Sequence, residues 1–234
     1  MLSLIPTLSL DRPPAAAGLS PKFGGLPWGL PKAHWPCCRE CGQPMSLLAQ
    51  LPVRDGLDQI GPLHARADLA DLVLHLFKCE GDDICSFWEP DAGTNAAFFL
   101  RTSDLEDDPA LAPAATVKVL PEVWITDWTP YDDLVPPEAV DKVRDPTWWL
   151  DLTDEARFPK LTRTKLGGIP WWTGNGPQQV PESPFVYLLQ IDQFLEIAGS
   201  DDCIEFGNFC SDGTCYVFID PTAPLPGGVM FINR

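Results

Sequence analysis

Lys22-Phe23-Gly24-Gly25-Leu26-Pro27-Trp28 returns late in the chain as Lys165-Leu166-Gly167-Gly168-Ile169-Pro170-Trp171. Both stretches set a basic and then an apolar residue ahead of a Gly-Gly turn and close it with Pro-Trp. Downstream, Leu47-Leu48-Ala49-Gln50-Leu51 is echoed by Tyr187-Leu188-Leu189-Gln190-Ile191, and Leu74-His75-Leu76-Phe77 by Cys215-Tyr216-Val217-Phe218. Gln50 and Phe77 stand 27 positions apart, Gln190 and Phe218 28. Matches that keep their order and nearly their spacing argue for a divergent internal duplication.

Each half then reads as a Gly-Gly-x-Pro-Trp turn, a loop of variable length, an apolar strand containing glutamine, a polar connection and a second apolar strand. In the first half the connection, Arg54 to Asp71, has room for a short helical turn, and Asp71 to Lys78 reads as a buried strand. Further strands are expected at Ala96–Arg101, Thr116–Leu120, Val123–Thr126 and Val229–Asn233. The acidic, proline-broken stretch Asp104–Ala114 reads as a loop. Pro136–Arg144 has helical character, with Pro137 in the first turn and Glu138 and Asp141 early. The expected fold is α+β and strand-rich, with two divergent pseudo-symmetric repeats packed into one compact unit. Residues 1–129 form the first repeat, 130–161 the link and 162–234 the second, with Trp148 and Trp149 placed to seal the halves together.

The whole chain has 234 residues, 45% of them hydrophobic, with 9 tryptophans, enough apolar material for a real core and against a disordered acidic tail. Its 33 acidic and 16 basic side chains leave a formal charge of −17. Scattered basic residues do not make a phosphate-tracking surface, so nucleic acid is not an expected partner. The same charge repels anionic membranes and suits a basic protein. The first residues carry no basic n-region and are broken by Pro6, Asp11, Arg12 and Pro13, a poor signal peptide. No apolar run reaches the roughly 20 residues that a bilayer requires. The expected location is the cytoplasm, where patterned cysteines more often mark metal than disulfides.

Of the 8 cysteines, Cys38-x2-Cys41-Gly42 and Cys79-x5-Cys85 form the informative set. Two intervening residues let a tight turn aim both sulfurs at one tetrahedral ion, and a second pair at a strand end closes the shell. Cys38, Cys41, Cys79 and Cys85 are therefore read as a structural zinc site. Cys37 is an alternative to Cys38, and buried thiols without metal are the competing reading. Cys203, Cys210 and Cys215 lack an obvious fourth ligand and read as structural.

Gln50 and Gln190 have two readings, as buried amides that satisfy neighbouring main chain or as a pseudo-symmetric pair lining a cleft. Trp28, Trp171 and Trp172 follow turns, where indoles plug a core edge or form a recognition surface. Neither a phosphate-binding glycine motif nor an H-E-x-x-H helix is present, and Gly174-Asn175-Gly176-Pro177 reads as a plain turn. A four-thiolate zinc site is closed to water and substrate, which speaks against enzymatic use of the metal.

Lys22-Phe23-Gly24-Gly25-x-Pro27-Trp28 with Leu47-Leu48-x-Gln50 resembles the bacterial YwqG-like family. Cys38-x2-Cys41-Gly42-x4-Leu47-Leu48-x-Gln50, followed by Leu74-x-Leu76-Phe77-x-Cys79, is similar to the N-terminal part of the programmed cell death protein 2 family, a distant relative. The resemblance implies a duplicated strand-rich unit and supports the metal ligands of the first half. In the eukaryotic relatives it implies a chaperone for a basic ribosomal protein, and in the bacterial ones an immunity role against toxins. The second half here has no Cys-x2-Cys. The expected function is a non-enzymatic, zinc-stabilised protein-binding module, chaperone-like towards a basic client, with an immunity protein or an enzyme of unknown class as alternatives.

Overall fold

The structure, a computed structural model, describes residues 1–13, 18–81, 85–135, 138, 144–145, 147–148, 158–173, 180–200 and 203–234. Most of the expected helix Pro136–Arg144, Trp149 and the turn Gly174–Pro177 lie outside the described residues. The strands are β1 (Leu2–Ser9), β2 (Lys22–Phe23), β3 (Ser46–Pro52), β4 (Leu72–Lys78), β5 (Asn95–Arg101) and β6 (Val123–Asp132). After α1 (Phe158–Leu161) come β7 (Lys165–Gly167), β8 (Val186–Asp192), β9 (Phe194–Glu196), β10 (Cys203–Glu205), β11 (Thr214–Asp220) and β12 (Gly227–Asn233).

Ten strands close into one antiparallel barrel in the order β1-β6-β2-β3-β4-β5-β12-β11-β8-β7, and β9 and β10 form a separate two-stranded sheet. Starting from β6, the run β6-β2-β3-β4-β5 meets β12-β11-β8-β7-β1, so β1 stands beside β7 as β6 stands beside β2. The two runs join along β1 and β6, paired from Leu2↔Asp132 to Ser9↔Trp124, and between β5 and β12 at Gly227↔Phe98 and Gly228↔Ala97. A methyl group on Gly228 would lie 2.8 Å from the Ala97 carbonyl oxygen, so this seam closes only on a bare backbone.

The central strands are apolar on both faces because both faces are covered. On β4, Leu72, Leu74 and Leu76 enter the barrel interior, while Phe77 packs outward with Trp35, Leu47 and Leu100. On β11, Cys215, Val217 and Ile219 point inward, while Tyr216 and Phe218 join Trp172, Tyr187 and Phe231 outside. Such strands read as continuous apolar runs rather than alternating ones.

The strand-rich expectation holds. Among the described residues the only α-helix is the four-residue α1, accompanied by short 3-10 turns, and the sheet is a closed antiparallel barrel. Closure satisfies both edges of the sheet without helices to cover them. Expected strands at 71–78, 96–101 and 229–233 appear within a residue or two of their bounds, but Thr116–Leu120 is not a strand. β6 runs to Asp132 and crosses the boundary expected after residue 129. No helix among the described residues is long and apolar enough to cross a membrane.

Candidate metal centre

The first thiol pair sits on a tight turn. Gly42 N–H donates to the Cys38 carbonyl at 2.9 Å and Cys38 N–H to the Gln43 carbonyl at 2.9 Å. Gly42 holds φ at 72°, the left-handed region that glycine enters without strain. A bridge between Cys37 and Pro44 and a bond from Met45 N–H to the Pro36 carbonyl at 3.0 Å close the base of the turn. The second pair follows β4: Cys79 N–H is held by the Thr94 carbonyl at 2.9 Å, and Cys85 leads into Phe87.

These segments bring Cys38, Cys41, Cys79 and Cys85 together, with all four Sγ atoms within 4.8 Å of one another. Cys41 Sγ lies 3.5 Å from Cys79 Sγ, and Cys79 Sγ 3.7 Å from Cys85 Sγ. An ion bonded to sulfur at ~2.3 Å in tetrahedral geometry holds its ligands ~3.8 Å apart, so the donor set fits a four-thiolate metal site. All four thiols are free of disulfides, and three of them are buried. Cys37, exposed at the foot of the turn, is not part of the group.

Burial pushes the Cys79 thiol up to about 11 and raises that of Cys85 as well. Burial acts upward on Cys38, but the Cys41 and Glu40 main chain and the Cys41 and Cys79 thiols together outweigh it, and the net direction is down. Crowded thiols of this kind lose their protons when a divalent cation supplies the compensating charge.

A shell of charged side chains fixes the turn and the strand end, and the spacing of the cysteines gave no sign of it. Lys78 Nζ is buried and donates to the Cys79 carbonyl at 2.9 Å and to Glu80 Oε1 at 2.8 Å, with the Phe87 ring 4.2 Å away. Glu80, equally buried, also accepts from the Asn208 N–H at 3.0 Å and pairs with Lys118 at 3.3 Å. The Cys79 segment is thereby tied to the chain between β10 and β11. Glu40, between the first two cysteines, accepts the Ser86 N–H at 3.0 Å next to Cys85. The sequence signal was Lys78-x-Glu80 flanking a cysteine, a pattern that also describes ordinary surface charge.

The other candidate residues lie elsewhere. Gln50 is fully buried on β3 and its Oε1 accepts the Trp28 N–H at 2.6 Å; Gln190 is fully buried on β8 and accepts the Trp171 N–H at 2.8 Å. Each glutamine pins the end of its Gly-Gly-x-Pro-Trp turn. Gly24 and Gly25 hold φ at 63° and 67°, Gly167 and Gly168 at 70° and 69°. A Cβ at Gly24 would lie 2.0 Å from the Pro121 carbonyl oxygen and one at Gly168 2.2 Å from Asp133 Oδ2, so both turns need glycine for space as well as for conformation.

Trp172 is buried against Tyr216, Phe218 and Phe231, while Trp28 and Trp171 are half-buried, Trp28 bridging to Pro109 and the Trp171 ring meeting Trp148 edge-on at 6.3 Å. Cys215 is buried inside the barrel, Cys210 half-buried and Cys203 exposed, and none joins the four-thiol group. The chain matches no family model, no curated protein and no solved structure.

Proposed function

We propose that the protein is a zinc-stabilised, non-enzymatic protein-binding module of the YwqG-like kind, chaperone-like towards a basic client. The observation that carries this reading is the convergence of Cys38, Cys41, Cys79 and Cys85 to within 4.8 Å, built from a tight turn and a strand end far apart in sequence. Four thiolates fill a tetrahedral zinc shell, so the ion clamps the chain and has no position left for a reacting group. A tetrahedral four-sulfur set suits zinc or iron, and zinc is the ion proposed because it is the usual occupant of closed structural four-cysteine sites.

The equivalent placement of Lys22 and Lys165, of Gln50 and Gln190 and of the two Gly-Gly turns supports an origin by duplication. In that scheme β6 completes the first repeat and β1 the second. The formal charge of −17 supports a basic polypeptide as partner, drawn by long-range attraction and held by apolar contact.

Two measurements test the reading. Elemental analysis of protein purified without added metal should give about one zinc per chain. Capture on immobilised protein should recover basic polypeptides at low ionic strength and lose them as salt screens the attraction. Iron in place of zinc, or metal far below stoichiometry, overturns the first part; absence of any salt-sensitive basic partner overturns the second.

A further inference from the structure

The two lateral seams of the barrel, β6 against β2 and β1 against β7, are comparable and diverge at Pro6. Beside β2, β6 pairs through Val123↔Phe23, and two residues on, Ile125 N–H extends the ladder to the Pro21 carbonyl at 3.1 Å. Beside β7, β1 pairs through Leu4↔Leu166, and two residues on stands Pro6. Proline has no N–H, so the matching bond to the Thr164 carbonyl cannot form. β1 is next tied at Leu8, whose carbonyl accepts the Ala198 N–H at 2.9 Å. Between these anchors a groove of about 470 Å³ lies over the seam, with Pro6, Thr7 and Thr164 in its lining. That volume falls within the range of small-molecule sites.

The groove is amphipathic. Ile5, Leu8, Phe194 and Ile197 supply its apolar wall, and Phe194 is 40% exposed there. Its charged lining residues are Lys160, Arg163 and Glu196, a net charge of +1 on a strongly acidic chain. Arg163 Nη2 pairs with Glu196 Oε2 at 2.5 Å, which fixes the guanidinium at the rim, while its Nε is buried without a hydrogen-bond partner. Lys160 Nζ lies 5.3 Å from the centre of the Tyr131 ring and has no carboxylate partner among the described residues.

We propose that this groove binds a small amphipathic monocarboxylate, with Lys160 and Arg163 receiving the carboxylate and the wall around Phe194 and Ile197 covering the apolar part. A net charge of +1 matches one negative charge, not the two of a phosphate monoester. An added peptide strand is disfavoured, because Pro6 withholds the central donor that a ladder needs and Ala198 already occupies the Leu8 carbonyl. The proposal does not depend on the metal centre.

Calorimetric titration of the full chain at low salt with phenylbutyrate, and separately with inorganic phosphate, tests it. Phenylbutyrate should bind saturably in the millimolar range or tighter, and phosphate roughly tenfold more weakly or not at all. Lys160→Glu, a change at an exposed position, should weaken phenylbutyrate roughly tenfold or more. Pro6→Val restores the missing N–H, lets β1 zip to Thr164 and should abolish binding, with circular dichroism reporting the retained fold. The proposal is overturned by absence of saturable phenylbutyrate binding, by phosphate binding as tightly, or by affinity unchanged in Lys160→Glu.

Discussion

Lys165 Nζ stands 3.3 Å from Asp133 Oδ2 with both side chains fully buried. Asp133 also accepts the Ile169 N–H at 2.7 Å and the Ser3 hydroxyl at 3.1 Å, so one carboxylate joins β1, β7 and the second Gly-Gly turn. Burial lowers the Lys165 pKa and the Asp133 charge opposes that shift. The counterpart at the first turn, Lys22 with Glu122 at 2.5 Å, keeps its carboxylate 41% exposed. Removing one partner of a buried pair leaves an uncompensated charge. Lys165→Met should therefore cost about 3–5 kcal/mol, and Lys165→Met with Asp133→Asn should recover part of it. Lys22→Met leaves Glu122 in contact with water and should cost about 1 kcal/mol. Urea unfolding of the variants decides; equal losses at Lys22 and Lys165 would contradict the burial argument.

The two glutamines differ in the same way. Gln190 Nε2 donates to the carbonyls of Leu161, Thr162 and Arg163 at 3.1, 3.3 and 2.8 Å, whereas Gln50 Nε2 is buried without a partner. Gln190→Leu strips the Trp171 N–H of its acceptor and those carbonyls of their donor. Gln50→Leu strips only the Trp28 N–H and also removes an unsatisfied donor. The loss at Gln190 should exceed that at Gln50 by about 2 kcal/mol, read from urea midpoints at unchanged slope. A Gln50 variant as damaging as the Gln190 one would refute the asymmetry.

How much of this is legible without coordinates depends on length scale. The runs around Gln50, His75, Gln190 and Tyr216 announce buried strands because covering both faces makes most of their residues apolar. β2 and β7 have two and three residues, too few for any periodicity, and only the repeated Lys ahead of Gly-Gly marks them. β1 carries inward leucines at 4 and 8, but Pro6 breaks the pattern, and its partner β6 lies more than a hundred positions away. The four metal-ligand candidates follow from local spacing. The burial of the Lys78–Glu80 pair and the groove over Pro6 do not: the pair is local, but Asn208 and Lys118 reach Glu80 from distant segments, and the groove likewise is made by segments that meet only on folding.

His75 stands opposite Gln50 across β3 and β4, stacked on Phe98 at 5.5 Å, and neither ring nitrogen has a partner of good hydrogen-bond geometry. Burial pushes its pKa from 6.5 down to about 4, opposed in part by the Val73 main chain and reinforced by His34. Above pH 6.5 the ring is neutral in both states and contributes no pH dependence. As the pH falls from 6.5 towards 4, the unfolded chain takes up a proton that the folded chain refuses, and about 3 kcal/mol of stability should be lost. Asp55 and Asp192, both raised by burial, work in the opposite direction in acid, so the test compares variants rather than one curve. His75→Phe should show a markedly flatter stability profile between pH 6.5 and 4. Parallel profiles for the two proteins would remove His75 as the source.

The candidate metal centre makes a sharper demand on neighbouring cysteines. Cys79 is buried between Cys41 and Cys85, while Cys37 sits one residue from Cys38 but outside the group. An ion held by the four thiols would join the Cys38–Cys41 turn to the end of β4, and metal binding is coupled to folding, so Cys79→Ser should lose the metal and unfold at lower urea. Cys37→Ser should keep both the metal content and the midpoint. Chelation of the parent protein should reproduce the Cys79→Ser midpoint and leave that of Cys79→Ser itself unmoved. A chelator that lowers the midpoints of both proteins equally would place the metal elsewhere, and a Cys37→Ser variant that loses it would move the fourth ligand from Cys38 to Cys37.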